Sequence, residues 1–160
     1  HTRCGRDWSS DVCSSDLPQH VRIRVGEIHA EASSEKIAMG HWLDGRCSFV
    51  FGTHTHVPTA DAKILPGGSA FISDLGMTGP YDSVLGRRKE RVLKFMTTSM
   101  PQAFDVATGD VRLCGALAEI DPDTGKALSI QRIEVAGDSS GPGFDADDAR
   151  SNPLSNDRDS

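Results

Sequence analysis

The chain has 160 residues, 37% of them apolar and 6% aromatic, enough for one domain with a sizeable core. No apolar run approaches the length of a bilayer span and no secretory leader is readable, which argues against a helical membrane protein and for a cytoplasmic one. The net charge of −6 is uneven: residues 137–160 carry six Asp against Arg150 and Arg158, whereas residues 21–136 sum to −1 and argue neither for nor against nucleic acid.

In chain order, residues 6–17 come first. This Ser/Asp-rich stretch around Trp8 has no apolar period and looks like one translated reading frame of a common short-read sequencing adapter. On that reading residues 1–20 are an artefactual or disordered leader, set aside from fold reasoning. Val21 to Val25 alternates apolar and basic residues, as a half-buried strand does, and runs on to His29. Ser33 or Ser34 is placed to cap a helix with Glu35 in its first turn. Ile37, Ala38, Met39, Trp42 and Leu43 would form its apolar face, and Gly45 would stop it. Cys47 to Phe51 is apolar throughout, a strand expected to be buried on both faces. Strand, helix and strand at this spacing predict a βαβ unit and an α/β fold.

Residues 62–65 and 69–73 read as a hairpin around Pro66-Gly67-Gly68. Residues 74–86 form a long loop of the kind that covers or serves a site. Arg87 to Thr98 reads as a helix with Val92, Leu93, Phe95 and Met96 inward, ended by Pro101. Residues 102–135 are strand-rich, with turn clusters at 107–110 and 121–126. From Gly137 on, the composition is that of a disordered acidic tail. Cys4, Cys13, Cys47 and Cys114 show no metal-ligand or redox spacing, and the last two read as buried thiols in a reducing compartment.

The chemistry centres on Gly52-Thr53-His54-Thr55-His56. In an extended segment His54 and His56 would point the same way, and His29 would close the neighbouring strand at the same sheet edge. Three neutral imidazoles there suit a divalent ion with room for an activated water. Hydrogen-bonded loop histidines are the ordinary alternative. Glu31 can orient a ligand's second nitrogen, or it can be a solvated surface glutamate or one that pairs with Lys36. Asp61 and Asp74 read as turn residues that accept backbone donors. Gly67-Gly68 and residues 76–80 are weak phosphate signals, explained equally by turns. Arg87-Arg88-Lys89 reads as a solvated helix face, and His1, His20 and His41 are left outside the site.

Residues 29–36, 44–46, 52–61, 64–68 and 76–83 together resemble the C-terminal half of the bacterial YmdB-like metallophosphoesterases, calcineurin-like hydrolases of phosphodiesters including 2′,3′-cyclic nucleotides. Gly26-Glu27 departs from the family's apolar-Asp pattern. The resemblance implies a sandwich of β-sheets flanked by helices, of which residues 21–136 are the C-terminal half and the N-terminal half is missing. It implies a phosphodiesterase with two divalent ions (Mn, Fe, Zn or Mg), His29 and His54 on one and His56 on the other. The general-acid histidine, the bridging carboxylate and the remaining ligands would lie in the missing half. The substrate would be a small phosphodiester or cyclic nucleotide, the full-length protein a homo-oligomer, and this chain inactive alone. A non-catalytic nucleotide- or partner-binding module and a single-zinc, three-histidine hydrolase are the competing readings.

Overall fold

The computed structural model describes residues 20–137, so the adapter-like stretch and almost all of the acidic tail lie outside the described residues. Strand β1 (Val25–His29), helix α1 (Ser33–Leu43) and strand β2 (Phe49–Thr53) form the expected βαβ unit, with β1 and β2 parallel. The hairpin of β3 (Lys63–Ile64) and β4 (Ala70–Ile72) completes a four-stranded sheet in the order β1-β2-β4-β3. A second, antiparallel sheet is built from β5 (Gly79–Pro80), β6 (Val111–Ile120) and β7 (Ala127–Ala136), with helix α2 (Lys89–Thr98) between β5 and β6 in sequence. The molecule is thus mixed α/β, with two sheets and two helices. None of the helices among the described residues is long and apolar enough to cross a membrane.

The core lies between α1 and the first sheet, where Cys47, Val50, Leu65 and Phe71 pack with Ile28 and Leu43. The face that α1 buries is not the expected one. Lys36 and Gly40 are buried, whereas Ile37 is exposed and Trp42 is 47% exposed beneath a stacked Arg46. Close fit decides this rather than side-chain hydrophobicity. A Cβ on Gly40 would lie 2.3 Å from the Phe71 ring, so the helix sits down on that ring through a residue with no side chain. Neither Ser33 nor Ser34 caps α1: Ala32 is the N-cap residue and no side chain bonds there. Gly45 does follow the helix end with φ 75°.

Three further expectations are corrected. The central strand starts at Phe49 rather than Cys47, and its Phe49 and Phe51 are only half-buried, so one of its faces is incompletely covered. In α2, Val92 is buried, but Leu93, Phe95 and Met96 are exposed, Met96 by 69%, and Phe95 meets only the edge-to-face ring of Phe104 among described aromatic contacts. The segment Gly79-Pro80, within the expected loop, pairs with β6. Of the two cysteines in the described region, Cys47 is buried and Cys114 half-buried, its Sγ 3.0 Å from the Tyr81 hydroxyl.

Gly52, where β2 approaches the site, tolerates no side chain. A Cβ there would lie 1.8 Å from the Ser73 carbonyl oxygen and 2.6 Å from Lys36 Cδ. Gly52→Ala is expected to cost about 3 kcal/mol or more, at the top of the range for overpacking, because the obstacle is backbone. Gly115→Ala, with nothing within 4 Å of its Cβ, should stay within about 0.5 kcal/mol of the parent, and urea melts of the two variants check the contrast.

Candidate metal centre

His29 is the last residue of β1 and pairs in register with Thr53, the last of β2. The carboxyl ends of two parallel strands therefore meet where the histidines begin, the edge at which such sheets gather ligands. β2 stops at Thr53, and His54 has φ 105° and His56 φ 64°. Both values are in the region that normally belongs to glycine, at a cost of roughly 1–3 kcal/mol each. The expected side-by-side display of His54 and His56 on an extended strand is therefore absent. The loop turns His54 back toward His29 and sends His56 elsewhere.

The His29 and His54 rings meet edge to face, with His29 Nε2 3.0 Å from His54 Nδ1. On its other side His29 Nδ1 lies 3.0 Å from Thr53 Oγ1, whose hydroxyl donates to Glu27 Oε1 at 2.8 Å. Since Thr53 gives its proton to the carboxylate, its oxygen accepts from His29 Nδ1–H. The partners thus leave the lone pair of His29 on Nε2, facing His54. His54 Nε2 is 2.6 Å from Glu31 Oε2. Glu31 thus pairs with His54, not with Lys36, and the histidine it orients is the one after β2. His56 Nδ1 lies 3.3 Å from the Leu85 carbonyl oxygen. A carbonyl only accepts, so Nδ1 holds the proton and Nε2 keeps the lone pair. That contact gives the long loop a direct hold on the site.

Beneath the loop lies a pair that the sequence reading did not assign. Lys36 Nζ is 2.8 Å from Asp74 Oδ2, the two side chains 1% and 0% exposed. The same carboxylate oxygen accepts from the Thr55 amide at 3.0 Å and the Thr55 hydroxyl at 2.7 Å, while Oδ1 accepts from the Gly76 amide at 2.9 Å. Lys36 also donates to the Thr53 carbonyl at 3.4 Å. The pair therefore grips the backbone on both sides of His54. Burial alone would raise the Asp74 pKa, but the Lys36 ammonium and the Gly76 and Thr55 donors outweigh it and hold the carboxyl below its ordinary range. The turn reading of Asp74 and Asp61 was correct as far as it went. Asp61 accepts from Thr59 and from the Ser73 amide, and these bonds, set against its own burial, also lower its pKa.

Two nitrogens bound to one cation at ~2.0–2.1 Å stand ~2.9–3.4 Å apart. The 3.0 Å between His29 Nε2 and His54 Nδ1 fits that spacing. Among the described residues, no group of three or more His, Cys, Asp or Glu side chains is placed to hold a metal ion. The chain thus brings together His29, His54 and Glu31, keeps His56 apart on Leu85, and leaves His20 and His41 exposed outside the site. Glu27, Thr53, Lys36 and Asp74 went unassigned as supports. Only Glu27 carried a readable signal, its i, i+2 relation to His29 on β1.

The YmdB-like protein family profile matches residues 9–133, starting within the stretch that resembles adapter sequence. A Bacillus subtilis (strain 168) protein described as a 2′,3′-cyclic-nucleotide 2′-phosphodiesterase is 52% identical over 112 residues, covering 70% of this chain and 42% of that protein. A Mycoplasma pneumoniae putative phosphatase/phosphodiesterase is 38% identical over 123 residues, covering 76% and 44%. Among solved structures, a hypothetical protein from Thermus thermophilus superposes with TM-score 0.67 at 42% identity, covering 72% of this chain and 45% of that one. A novel phosphatase from Mycoplasma pneumoniae superposes with TM-score 0.69 at 37% identity, covering 72% and 41%. The chain spans less than half the length of the relatives it matches. With the histidine pair at the ends of β1 and β2 and a profile match over most of its length, the chain belongs to the YmdB-like protein family.

Proposed function

We propose that residues 21–136 are the histidine-bearing portion of a divalent-metal-dependent phosphodiester hydrolase acting on a small phosphodiester such as a 2′,3′-cyclic nucleotide. The observation that carries this is the 3.0 Å approach of His29 Nε2 to His54 Nδ1, with the remaining nitrogens tied to Thr53 and Glu31. Metal-ligating histidines are oriented in this way, by a carboxylate or hydroxyl on the far nitrogen. Bound divalent cations would supply Lewis acidity and an activated water. His29 and His54 would hold one cation, and His56 Nε2, freed by the Leu85 carbonyl, a second. Glu31 keeps His54 turned toward His29, and the Lys36–Asp74 pair fixes the backbone between them. A group to protonate a leaving alkoxide would come from a segment outside this portion. The half-buried Cys114 thiol suits a reducing, cytoplasmic setting, and a homo-oligomer is proposed for the longer protein.

The test is hydrolysis of a 2′,3′-cyclic nucleotide with Mn²⁺, by this chain and by a version extended to the relatives' full length. The expected result is turnover by the extended protein and background by the chain alone. Robust turnover by the chain alone would overturn the assignment of the acid and bridging groups to another segment. No turnover by either would overturn the hydrolase reading.

A further inference from the structure

A second feature lies at the opposite end of the first sheet, before the first residues of β1 and β2. It is a cleft of about 270 Å³ whose walls include Arg22, Arg24, Arg46 and Lys126. β1 runs from this end to His29, so the cleft is on the order of 15 Å from the histidine pair by strand rise. It is a separate place and shares no residue with the metal centre.

Four cations line one cleft in a region, residues 21–136, whose charges sum to −1. Arg22 reaches Asp123, at 3.7 Å from its carboxylate and 3.1 Å from its carbonyl. Arg24, Arg46 and Lys126 have no carboxylate partner among the described residues. Nearby Asp44 is committed, one oxygen to the Gly67 amide at 2.7 Å and the other to the Ser69 amide at 3.2 Å. Arg24, a residue of the cleft wall, is anchored by its Nε on the Val21 carbonyl at 3.2 Å. Arg46 Cζ lies over the Trp42 ring, 4.5 Å from its centre, so its guanidinium is held without being neutralised. A cleft lined by one sign of charge focuses the field and concentrates counter-ions.

The rim amides are already used. Gly45 donates to Ser69 Oγ, Gly68 to the Leu65 carbonyl and Gly125 to the Asp121 carbonyl. An anion here would be held by side chains, through the fork geometry that suits a phosphate. We propose that this cleft binds a small phosphate-bearing anion, its charged group between Arg24, Arg46 and Lys126. The same chemistry is offered by free pyrophosphate and by a nucleoside monophosphate, and the cleft volume admits either.

The test titrates the chain, stripped with EDTA, with pyrophosphate, adenosine monophosphate, sulfate and a short single-stranded oligonucleotide. Calorimetry gives the affinity, and the fluorescence of Trp42 in a Trp8→Phe background reports movement of Arg46. The expected result is saturable binding of pyrophosphate or the monophosphate at least 10-fold tighter than sulfate. Arg46→Gln and Lys126→Gln, both exposed positions, should each weaken it at least 10-fold with an unchanged circular dichroism spectrum. Tighter binding of the monophosphate than of pyrophosphate assigns the source to a nucleotide, and the reverse to the free anion. Affinity no better than sulfate, affinity unmoved by both variants, or a stronger preference for the oligonucleotide would each overturn the proposal. None of these outcomes bears on metal binding at the histidines, which the chelator removes from the measurement.

Discussion

Asp74→Ala is expected to cost the chain about 3–5 kcal/mol, because it strands the Lys36 ammonium in a fully buried position. A domain of this kind has only about 5–15 kcal/mol in total, so the variant should be largely unfolded near physiological temperature. The loss goes beyond one ion pair. Asp74 also accepts from Thr55 and Gly76, and those part-buried amides would lose their acceptor. Lys36→Met should be milder, since the carboxylate keeps its donors. The double variant Lys36→Met/Asp74→Asn should recover part of the loss, because neither charge remains and asparagine still offers an acceptor. Urea melts of the four proteins check the ordering, and a cost below about 1 kcal/mol for Asp74→Ala would remove the pair from its structural role.

The same carboxylate sets an acid limit. Its folded pKa lies below the ordinary 3.8, so the stabilisation it contributes is fully present above that pH and is lost as pH falls through the folded value. Asp61 is shifted in the same direction and adds to the effect. Stability should therefore be flat from neutral pH to about pH 5 and fall steeply below about 4. In Asp74→Asn the fall should be shallower, with only Asp61 left of this pair. Thermal melts between pH 7 and pH 3 give the comparison.

The parts of this fold that could be read in advance were those set by local pattern. The βαβ unit followed from two apolar runs, a helical stretch and the glycine after it. The meeting of His29 with His54, though not with His56, followed from strand ends in parallel register. What could not be read was decided by fit. Hydrophobicity put Ile37 and Trp42 in the core, but the helix docks where Gly40 admits the Phe71 ring, and that rotation buries Lys36 instead. A buried lysine is tolerable only with a partner, and its partner is 38 residues on, at a position that by itself looks like a turn aspartate. Period-two reasoning failed at His54 and His56 because β2 ends one residue before them. The exposed apolar residues of α2 show the limit of reading burial from amphipathic spacing. Spacing says which residues share a face, not whether anything covers it.

If the histidine pair is a ligand pair, its variants should separate by how directly each touches the cation. His29→Ala and His54→Ala each remove one of the two nitrogens 3.0 Å apart, and should abolish the tighter Zn²⁺ or Mn²⁺ binding event measurable by calorimetry. Thr53→Val leaves both rings but removes the acceptor that fixes the His29 tautomer, and should weaken binding by about 10–100-fold. Glu31→Gln should fall at the lower end of that range, because its carboxylate is 84% exposed and water can replace it. Glu27→Gln acts through Thr53, so it should add little in the Thr53→Val background. His56→Ala should leave the tighter of two binding events intact, since its ring is held on Leu85 and not on the pair. The decisive comparison is His29→Ala against His56→Ala. If the first leaves metal affinity unchanged while the second removes it, the cation does not sit between the ends of β1 and β2, and the edge-to-face imidazoles are only a hydrogen-bonded loop closure.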